Sequence, residues 1–429
     1  MLLKLAVIAD DLTGGMMVAS LLEREGVYCP LVTSLDALNE LDDRAEAVVI
    51  GCKLRIVPAE HAVSEVRSYG KMLLAKGVKR IYYKYSALFM STDKGNIGPI
   101  SECLMELTGT DHVLFCPRWA GCTVYMGRLF VNQLMLHESG ASRDPVTPMT
   151  NSNLVEVLQA QSGVGVGFLP LNIVRGSKSG TSDFLRAKVS EGVSFFITDA
   201  LDDDKDLSRL AEIAIDMPFS TGADGLPVYL ARLLWNGMSR KEPNNILPPA
   251  PGCTAVLAGS CSGKTNRQLE IFEKQYPLYR VDLIEASRNL TVINDITEWA
   301  RRRLSDSPIG IATTLDNVGV ARIQKELGGD IAANLAENIL GKVTSTLYDL
   351  GVRKFVVAGG ETSGKVISTL GLDKLKVAAF DYLGGGYCHA EGSDPISLVT
   401  KAGGQGEEGF FGQAIERLRL ADESLADCK

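Results

Sequence analysis

Residues 253–275 read CTAVLAGSCSGKTNRQLEIFEKQ: a short apolar run, a turn of small residues, then a mixed, helix-like stretch. The run 253–259 has the length of a buried strand, and 265–275 suits the helix after it. Strand–turn–helix is the repeating unit of a parallel α/β sheet. The turn has two readings. Gly263-Lys264-Thr265 closes it as the phosphate-binding loop G-x-x-x-x-G-K-[ST] would close. Ala258 stands, however, where that motif needs its first glycine. A P-loop enzyme also needs an acid at another strand end to hold Mg²⁺ through water. Asp316, in a Thr-rich turn, is the one candidate and comes late.

Two further turns have the same form. FVVAGGETSGKV (355–366) is a strand, a Gly359-Gly360 turn and a helix start, with Thr362 and Ser363 as N-cap residue types. TKAGGQGEEGFF (400–411) repeats it, with glycines 403, 404 and 406 and with Glu407 and Glu408 expected in a first helical turn. Taken singly, a glycine at such a turn is an ordinary connection. Three converging at one sheet edge would make a nucleotide site from backbone amides and helix N-termini, without a lysine-bearing loop.

Outward from these turns the pattern continues. Strands are expected at 3–9, 47–52, 80–85, 112–117, 164–170 and 193–199. A second set is expected at 253–259, 279–284, 309–314, 354–360, 376–380 and 396–401. Stretches of near-helical spacing, such as 58–76, lie between them. The segment 238–252, MSRKEPNNILPPAPG, has four prolines and no periodicity and reads as a linker. The expected fold is α/β: two α/β/α domains, 1–237 and 253–429, with mostly parallel sheets and a ligand cleft between them.

The chain has 429 residues, 45% hydrophobic and 22% charged, with a net charge of −8. That acidity argues against a nucleic-acid partner, which needs a basic face. No apolar run reaches the roughly 18 residues of a membrane span, and the N-terminus meets Asp10 and Asp11 before a signal peptide could form. Nine scattered cysteines, with no C-x-x-C pair, read as reduced fillers of a cytoplasmic protein. The four histidines, His137 and His389 among them, have no metal-ligand spacing and read as structural. Trp119 reads equally as a cleft residue or as packing.

Several blocks together carry a resemblance. IADDLTG (8–14), GNIGP (95–99), TVYMGRLFV (123–131), ESG (138–140), PVTPMTNSNLVEVLQAQ (145–161), GSCS (259–262) and AGGETSG (358–364) resemble the four-carbon acid sugar kinases, and among them the branch acting on 3-oxo-tetronates. The blocks run in the family's order over nearly the whole chain. The resemblance implies an N-terminal domain that binds a sugar acid and a C-terminal domain that binds ATP. It implies γ-phosphoryl transfer to a hydroxyl, with ATP and Mg²⁺ as cofactors. The GSCS turn then belongs to the nucleotide site and Lys264 is incidental. The implied partners are the sugar acid and ATP, without nucleic acid or membrane; assembly with further copies of the chain stays open.

The chemistry asks for an acceptor hydroxyl held in line and for charge neutralisation. Asp10 and Asp11 follow the first strand, where ligands of open α/β sheets bind. Asp11 is expected as base or hydroxyl anchor and Asp10 as its substrate-binding neighbour, although one of the two can instead cap the following helix. Arg55, at a place where the family also has an arginine, is expected to hold the substrate carboxylate in its fork, with Lys84 as a second cation. Gly259, Ser260, Gly359, Gly360, Glu361, Thr362 and Gly403 are carried over as nucleotide contacts; no metal ligand is assigned.

The chain departs from the family mainly in its first half. Met17 and Met90 stand where aspartates are usual and Cys122 where an arginine is usual; KAGGQG (401–406) replaces the usual KSGNFG. A hydrogen bond to a charged group is worth about 1.5–3 kcal/mol. These changes point to an altered acceptor, or to a non-catalytic nucleotide-binding relative on the same scaffold.

Overall fold

The computed structural model describes residues 3–144, 147–237, 242–243, 245–289 and 291–423. Part of the expected linker, 238–241 and 244, and the first two residues of the 145–161 block lie outside them. The chain divides into two compact units, Met1–Glu242 and Pro243–Lys429.

The first unit carries strands β1 (Leu5–Ala9), β2 (Leu31–Val32), β3 (Ala47–Gly51), β4 (Ile81–Lys84) and β5 (Val113–Cys116). An antiparallel meander follows: β6 (Cys122–Tyr125), β7 (Arg128–Val131) and β8 (Leu134–Met135). Then come β9 (Gly165–Leu169), β10 (Val193–Thr198) and β11 (Phe219–Gly222). The main sheet has the order β2-β3-β1-β4-β11-β5-β10-β9, and every pairing is parallel. Strands β1, β3, β4, β5 and β11 are buried at every residue, so both faces are covered, as an all-parallel sheet requires. The chain runs β1, β2, β3 to one side of β1 and then crosses to β4 on its other side. Open α/β sheets bind ligands at such a reversal, outside the carboxyl ends of the strands.

The second unit carries β12 (Cys253–Ala258), β13 (Leu278–Arg280), β14 (Ile309–Ala312), β15 (Val352–Ala358), β16 (Lys374–Val377), β17 (Gly386–Ala390) and β18 (Ile396–Lys401). Their order is β13-β14-β12-β15-β18-β17-β16. The first five are mutually parallel, and β17 and β16 extend the sheet antiparallel. Here β12 sits at the reversal, between β14 and β15.

Three expected local structures differ. Leu283 and Ile284 belong to a helix, Leu283–Arg288, capped by Asp282, so the strand stops at Arg280. Glu407 and Glu408 lie in a turn ahead of the helix Phe410–Glu423. Thr362 and Ser363 sit inside the helix Gly360–Thr369, whose N-cap is Gly359. The Ser363 hydroxyl donates back to the Gly359 carbonyl at 2.8 Å.

Candidate active site

Five charged side chains gather where β1, β3, β4 and β11 end. Asp10 and Asp11 follow β1, Arg55 lies four residues past β3, Lys84 ends β4, and Asp224 lies two residues past β11. Backbone bonds continue the ladder into this edge. The Asp10 amide donates to Lys84 O at 2.9 Å and the Tyr85 amide to Gly222 O at 3.0 Å. Asn96, in the GNIGP turn, donates to Val57 O at 2.8 Å and also to Leu54 O, holding the chain on both sides of Arg55.

Arg55 Nε donates to Asp10 Oδ2 at 2.9 Å and Nη2 to Asp10 Oδ1 at 3.2 Å; Nη2 also pairs with Asp11. The fork expected to receive a substrate carboxylate is thus turned onto the two aspartates. Lys84 Nζ lies 3.8 Å from Asp11 Oδ2 and 3.8 Å from Asp224 Oδ1. Its side chain passes over Gly14, where a Cβ would stand 2.0 Å from Nζ. Asp11 also caps the helix Leu12–Arg24, accepting from the Gly14 amide at 2.6 Å. The capping and the charged role expected as alternatives therefore occur in one side chain.

Burial and neighbours push the three acids apart. For Asp11, burial favours the neutral form, but Arg55, Lys84 and the Gly14 amide outweigh it and hold the carboxyl well below the usual range. For Asp10, burial and the neighbouring Asp11 charge win over Arg55, and its affinity for a proton rises. Asp224 is 7% exposed. Burial raises its pKa against the pull of Lys84, with Asp11 and Asp10 adding to the rise. Lys84 is 2% exposed; burial opposes its charge, but Asp224, Asp11 and Asp10 together keep it protonated. A buried acid with raised proton affinity suits proton acceptance from an alcohol. One pinned as an anion suits hydroxyl binding.

Asp224 escaped the sequence reading. The signal was present in STGADG (220–225), which repeats the small-residue, acid and glycine pattern of IADDLTG. Of the departures, Cys122 is buried at the start of β6. Burial, against the pull of Arg118 and with the Asp224 carboxylate adding to the rise, brings its thiol to about 11, so Cys122 and Asp224 are electrostatic neighbours. Met17 is buried in the helix Leu12–Arg24. Trp119 packs on the backbone beside Asp224: a Cβ on Gly225 would stand 3.0 Å from its ring. His389 is buried against Ser397 at 2.9 Å and His137 bonds Ser152 at 2.8 Å. Among the described residues no cluster of three or more His, Cys, Asp or Glu could hold a metal ion.

In the second unit the three glycine turns interlock. A Cβ on Gly259 would stand 2.3 Å from Thr362 Oγ1, and one on Gly403 would stand 2.2 Å from Ser260 Oγ. Ser262 Oγ donates to Gly403 O at 2.6 Å and caps the helix Gly263–Glu273. The turns after β12, β15 and β18 thus meet at one edge and bring Gly259, Ser260, Gly359, Thr362 and Gly403 together. Gly360 and Glu361 are exposed there, on the first turn of the helix Gly360–Thr369. Lys264 is exposed. The buried lysine at this edge is Lys401, at the end of β18, which the sequence reading missed. Its Nζ donates at 3.1 Å to Thr265 Oγ1 and to the carbonyls of Ala402 and Gly403. Two helix N-termini and a lysine facing neutral oxygens make an edge fit for phosphate.

Burial, with the charge of Lys264, lowers Lys401 to about 8. An anion beside it would restore its full charge. Affinity for a phosphate-bearing ligand is therefore expected to be highest below pH 8. It should fall through and above that pH by up to roughly tenfold per unit. In the free protein the stability sign is opposite. Between about 8 and the ordinary 10.5 the unfolded chain binds the proton and the folded chain does not, so stability rises with pH there. Calorimetric titration from pH 7 to 9.5 checks the binding slope, which Lys401→Met should remove.

Fold and edges define a two-domain α/β protein with one acid-rich and one glycine-lined strand edge. Residues 5–230 match the family model described as a sugar-binding N-terminal domain, and residues 255–411 the one described as a nucleotide-binding C-terminal domain. A 3-oxo-tetronate kinase of Burkholderia multivorans is 34% identical over 418 residues, covering 96% of this chain and 97% of that one. One of Pseudomonas fluorescens is 36% identical over 421 residues, covering 96% and 97%. A Salmonella typhimurium LT2 crystal structure superposes with a TM-score of 0.81 at 32% identity over 96% and 98% of the two chains. A Haemophilus influenzae one does so with 0.75 at 32% over 96% and 100%. The chain belongs to the four-carbon acid sugar kinase family, and by class it is a kinase. Among the described residues no helix is long and apolar enough to cross a membrane.

Proposed function

We propose that this protein, in the cytoplasm, transfers the γ-phosphoryl group of ATP to a hydroxyl of a small four-carbon sugar acid or a related 3-oxo or branched one. The observation that carries the reading is the charged set of buried Asp10, Lys84 and Asp224 with half-buried Asp11 and Arg55 at four neighbouring strand ends, in the half of the chain matched as sugar-binding. Asp11, pinned as an anion, holds substrate hydroxyls, with Asp10 beside it. Lys84 and Arg55 supply the positive field that a substrate carboxylate needs. Asp224 accepts the proton of the attacking hydroxyl. Its oxygen then forms the new P–O bond as the bond between the γ-phosphorus and the bridging oxygen breaks, and ADP leaves. Gly259, Ser260, Gly359, Gly360, Glu361, Thr362 and Gly403, with Lys401, take the nucleotide. Mg²⁺ bound to the phosphates would neutralise their charge; Glu361, exposed in its first helical turn, is the nearest acid to those turns in sequence.

A coupled ADP-release assay against tetronates, 3-oxo-tetronates and branched aldonates tests this. ADP release should depend on one of the acids. Asp224→Asn should lower kcat by at least about 10²-fold with little change in KM, whereas Asp11→Asn should chiefly raise KM. Silence across the panel, with ATP still raising the melting temperature, would favour a non-catalytic nucleotide-binding protein.

A further inference from the structure

Asp224 owes its place to a short passage of main chain with no room to move. Gly222 ends β11, and Asp224 follows two residues later. A Cβ on Gly222 would stand 2.3 Å from Cys116 O and 2.4 Å from the Tyr82 hydroxyl; one on Gly225 would stand 2.9 Å from Arg118 O. Glycine on either side of Ala223 and Asp224 thus lets the chain approach its neighbours more closely than a side chain would allow. Backbone bonds hold it there. The Ala223 amide donates to Cys116 O at 2.9 Å, and Gly222 O accepts from the Tyr85 amide at 3.0 Å.

The helix that follows, Gly225–Leu234, cannot serve the Ala223 carbonyl. The residue four positions on is Pro227, which has no N–H to give. Tyr82, fully buried in β4, supplies the donor instead: its hydroxyl bonds Ala223 O at 2.8 Å. Burial, with Cys116, Tyr85 and Asp224 nearby, keeps that hydroxyl protonated and able to donate. The peptide whose oxygen Tyr82 holds is the one whose N–H belongs to Asp224. That N–H faces the residue's own carboxylate and favours its charged form. A donor on the oxygen of a peptide polarises it and strengthens its N–H.

We propose that Tyr82 is the positioning residue of Asp224: through the Ala223–Asp224 peptide, its hydroxyl fixes where the carboxylate stands to take the proton of the attacking alcohol. The assignment rests on the reading of Asp224 as proton acceptor. It gives a task to a buried hydroxyl that packing alone does not need.

Tyr82→Phe removes one oxygen and keeps the ring. The other groups that act on Asp224 stay in place: Lys84 from β4, Asp11 and Asp10 from the end of β1, and Cys122 from β6. Tyr85→Phe is the matched comparison. Its hydroxyl is also fully buried but bonds Thr221 Oγ1 at 3.2 Å, away from the Ala223 peptide. Both variants and Asp224→Asn enter the coupled ADP-release assay, with the same panel of acids, from pH 5 to 9. Asp224 must be ionised to accept a proton, so the rate falls as pH drops through its folded pKa. A weaker N–H raises that pKa. Tyr82→Phe should therefore move the acid limb of kcat up by about 0.5–1 pH unit. It should lower kcat about tenfold near neutral pH, with KM for the sugar acid unchanged. Tyr85→Phe should move neither the limb nor kcat. A Tyr82→Phe profile that coincides with that of the intact protein, or a like fall in both variants, would overturn the assignment of Tyr82 while Asp224→Asn stays impaired. Full activity of Asp224→Asn, or no acid-dependent ADP release by the intact protein, would overturn the reading of Asp224, and this assignment with it.

Discussion

Lys84→Met should cost this protein about 3–5 kcal/mol of stability at neutral pH and at least about 10²-fold in phosphoryl transfer. Removing one partner of a buried charged set leaves the others uncompensated, and that is where the large values come from. Lys84 faces Asp11 and Asp224 at equal distances. Arg55 remains for Asp11, but Lys84 is the one cation that pulls on Asp224, so that acid takes most of the loss. The effect carries a pH signature. Asp224 has a raised folded pKa, and without Lys84 it rises further. A raised group contributes stability below its unfolded pKa and loses it as pH climbs through the folded value. The gap between variant and wild type should therefore narrow on acidification. Urea denaturation at pH 5 and pH 8 measures it; an equal gap at both would mean that Asp224 does not carry the loss.

Gly259→Ala should weaken ATP binding at least about tenfold while leaving the sugar-acid half of the protein intact. The added methyl would stand 2.3 Å from Thr362 Oγ1 and 3.1 Å from Leu340 Cδ1, so the turns after β12 and β15 must separate. Both turns present helix N-termini to the same edge, and small displacements there misplace every amide donor at once. The test is a double-mutant cycle, because Thr362→Ala removes the colliding hydroxyl. Alone, Thr362→Ala should cost only its own contact with the nucleotide, about 0.5–1.5 kcal/mol. Combined with Gly259→Ala it should restore most of the lost affinity, a coupling of about 1 kcal/mol or more between touching residues. Strictly additive losses by calorimetry would show that the turns do not act as one unit.

Much of this was legible in the chain. Apolar runs of four to seven residues gave nearly all of the central strands, because a parallel strand buried on both faces has few polar positions to disguise it. Asp10, Asp11, Arg55 and Lys84 were legible because each stands at or just past the end of such a run. Among what escaped were β17, Gly386–Ala390, and β11 with Asp224. Phe219-Ser220-Thr221-Gly222 has one large apolar residue and reads as a loop, yet it is buried at every position between β4 and β5. Its neighbours, and not its own hydrophobicity, make it a strand. Lys401 escaped for a similar reason: a lysine closing an apolar run reads as a solvated end, and only the Gly403 turn folded over it makes it buried.

The sequence by itself determined the α/β class, the two halves and the residue types at the strand ends, since period, length and glycine placement are local properties. Tertiary structure alone decided which strand ends are neighbours. It turned Arg55 onto Asp10 and Asp11, put Lys84 between Asp11 and Asp224, and wedged Thr362 against Gly259. Those pairings join residues from 44 positions apart, Arg55 and Asp11, to 140, Lys84 and Asp224. No local pattern encodes them, because they arise only when crossover connections fix the strand order.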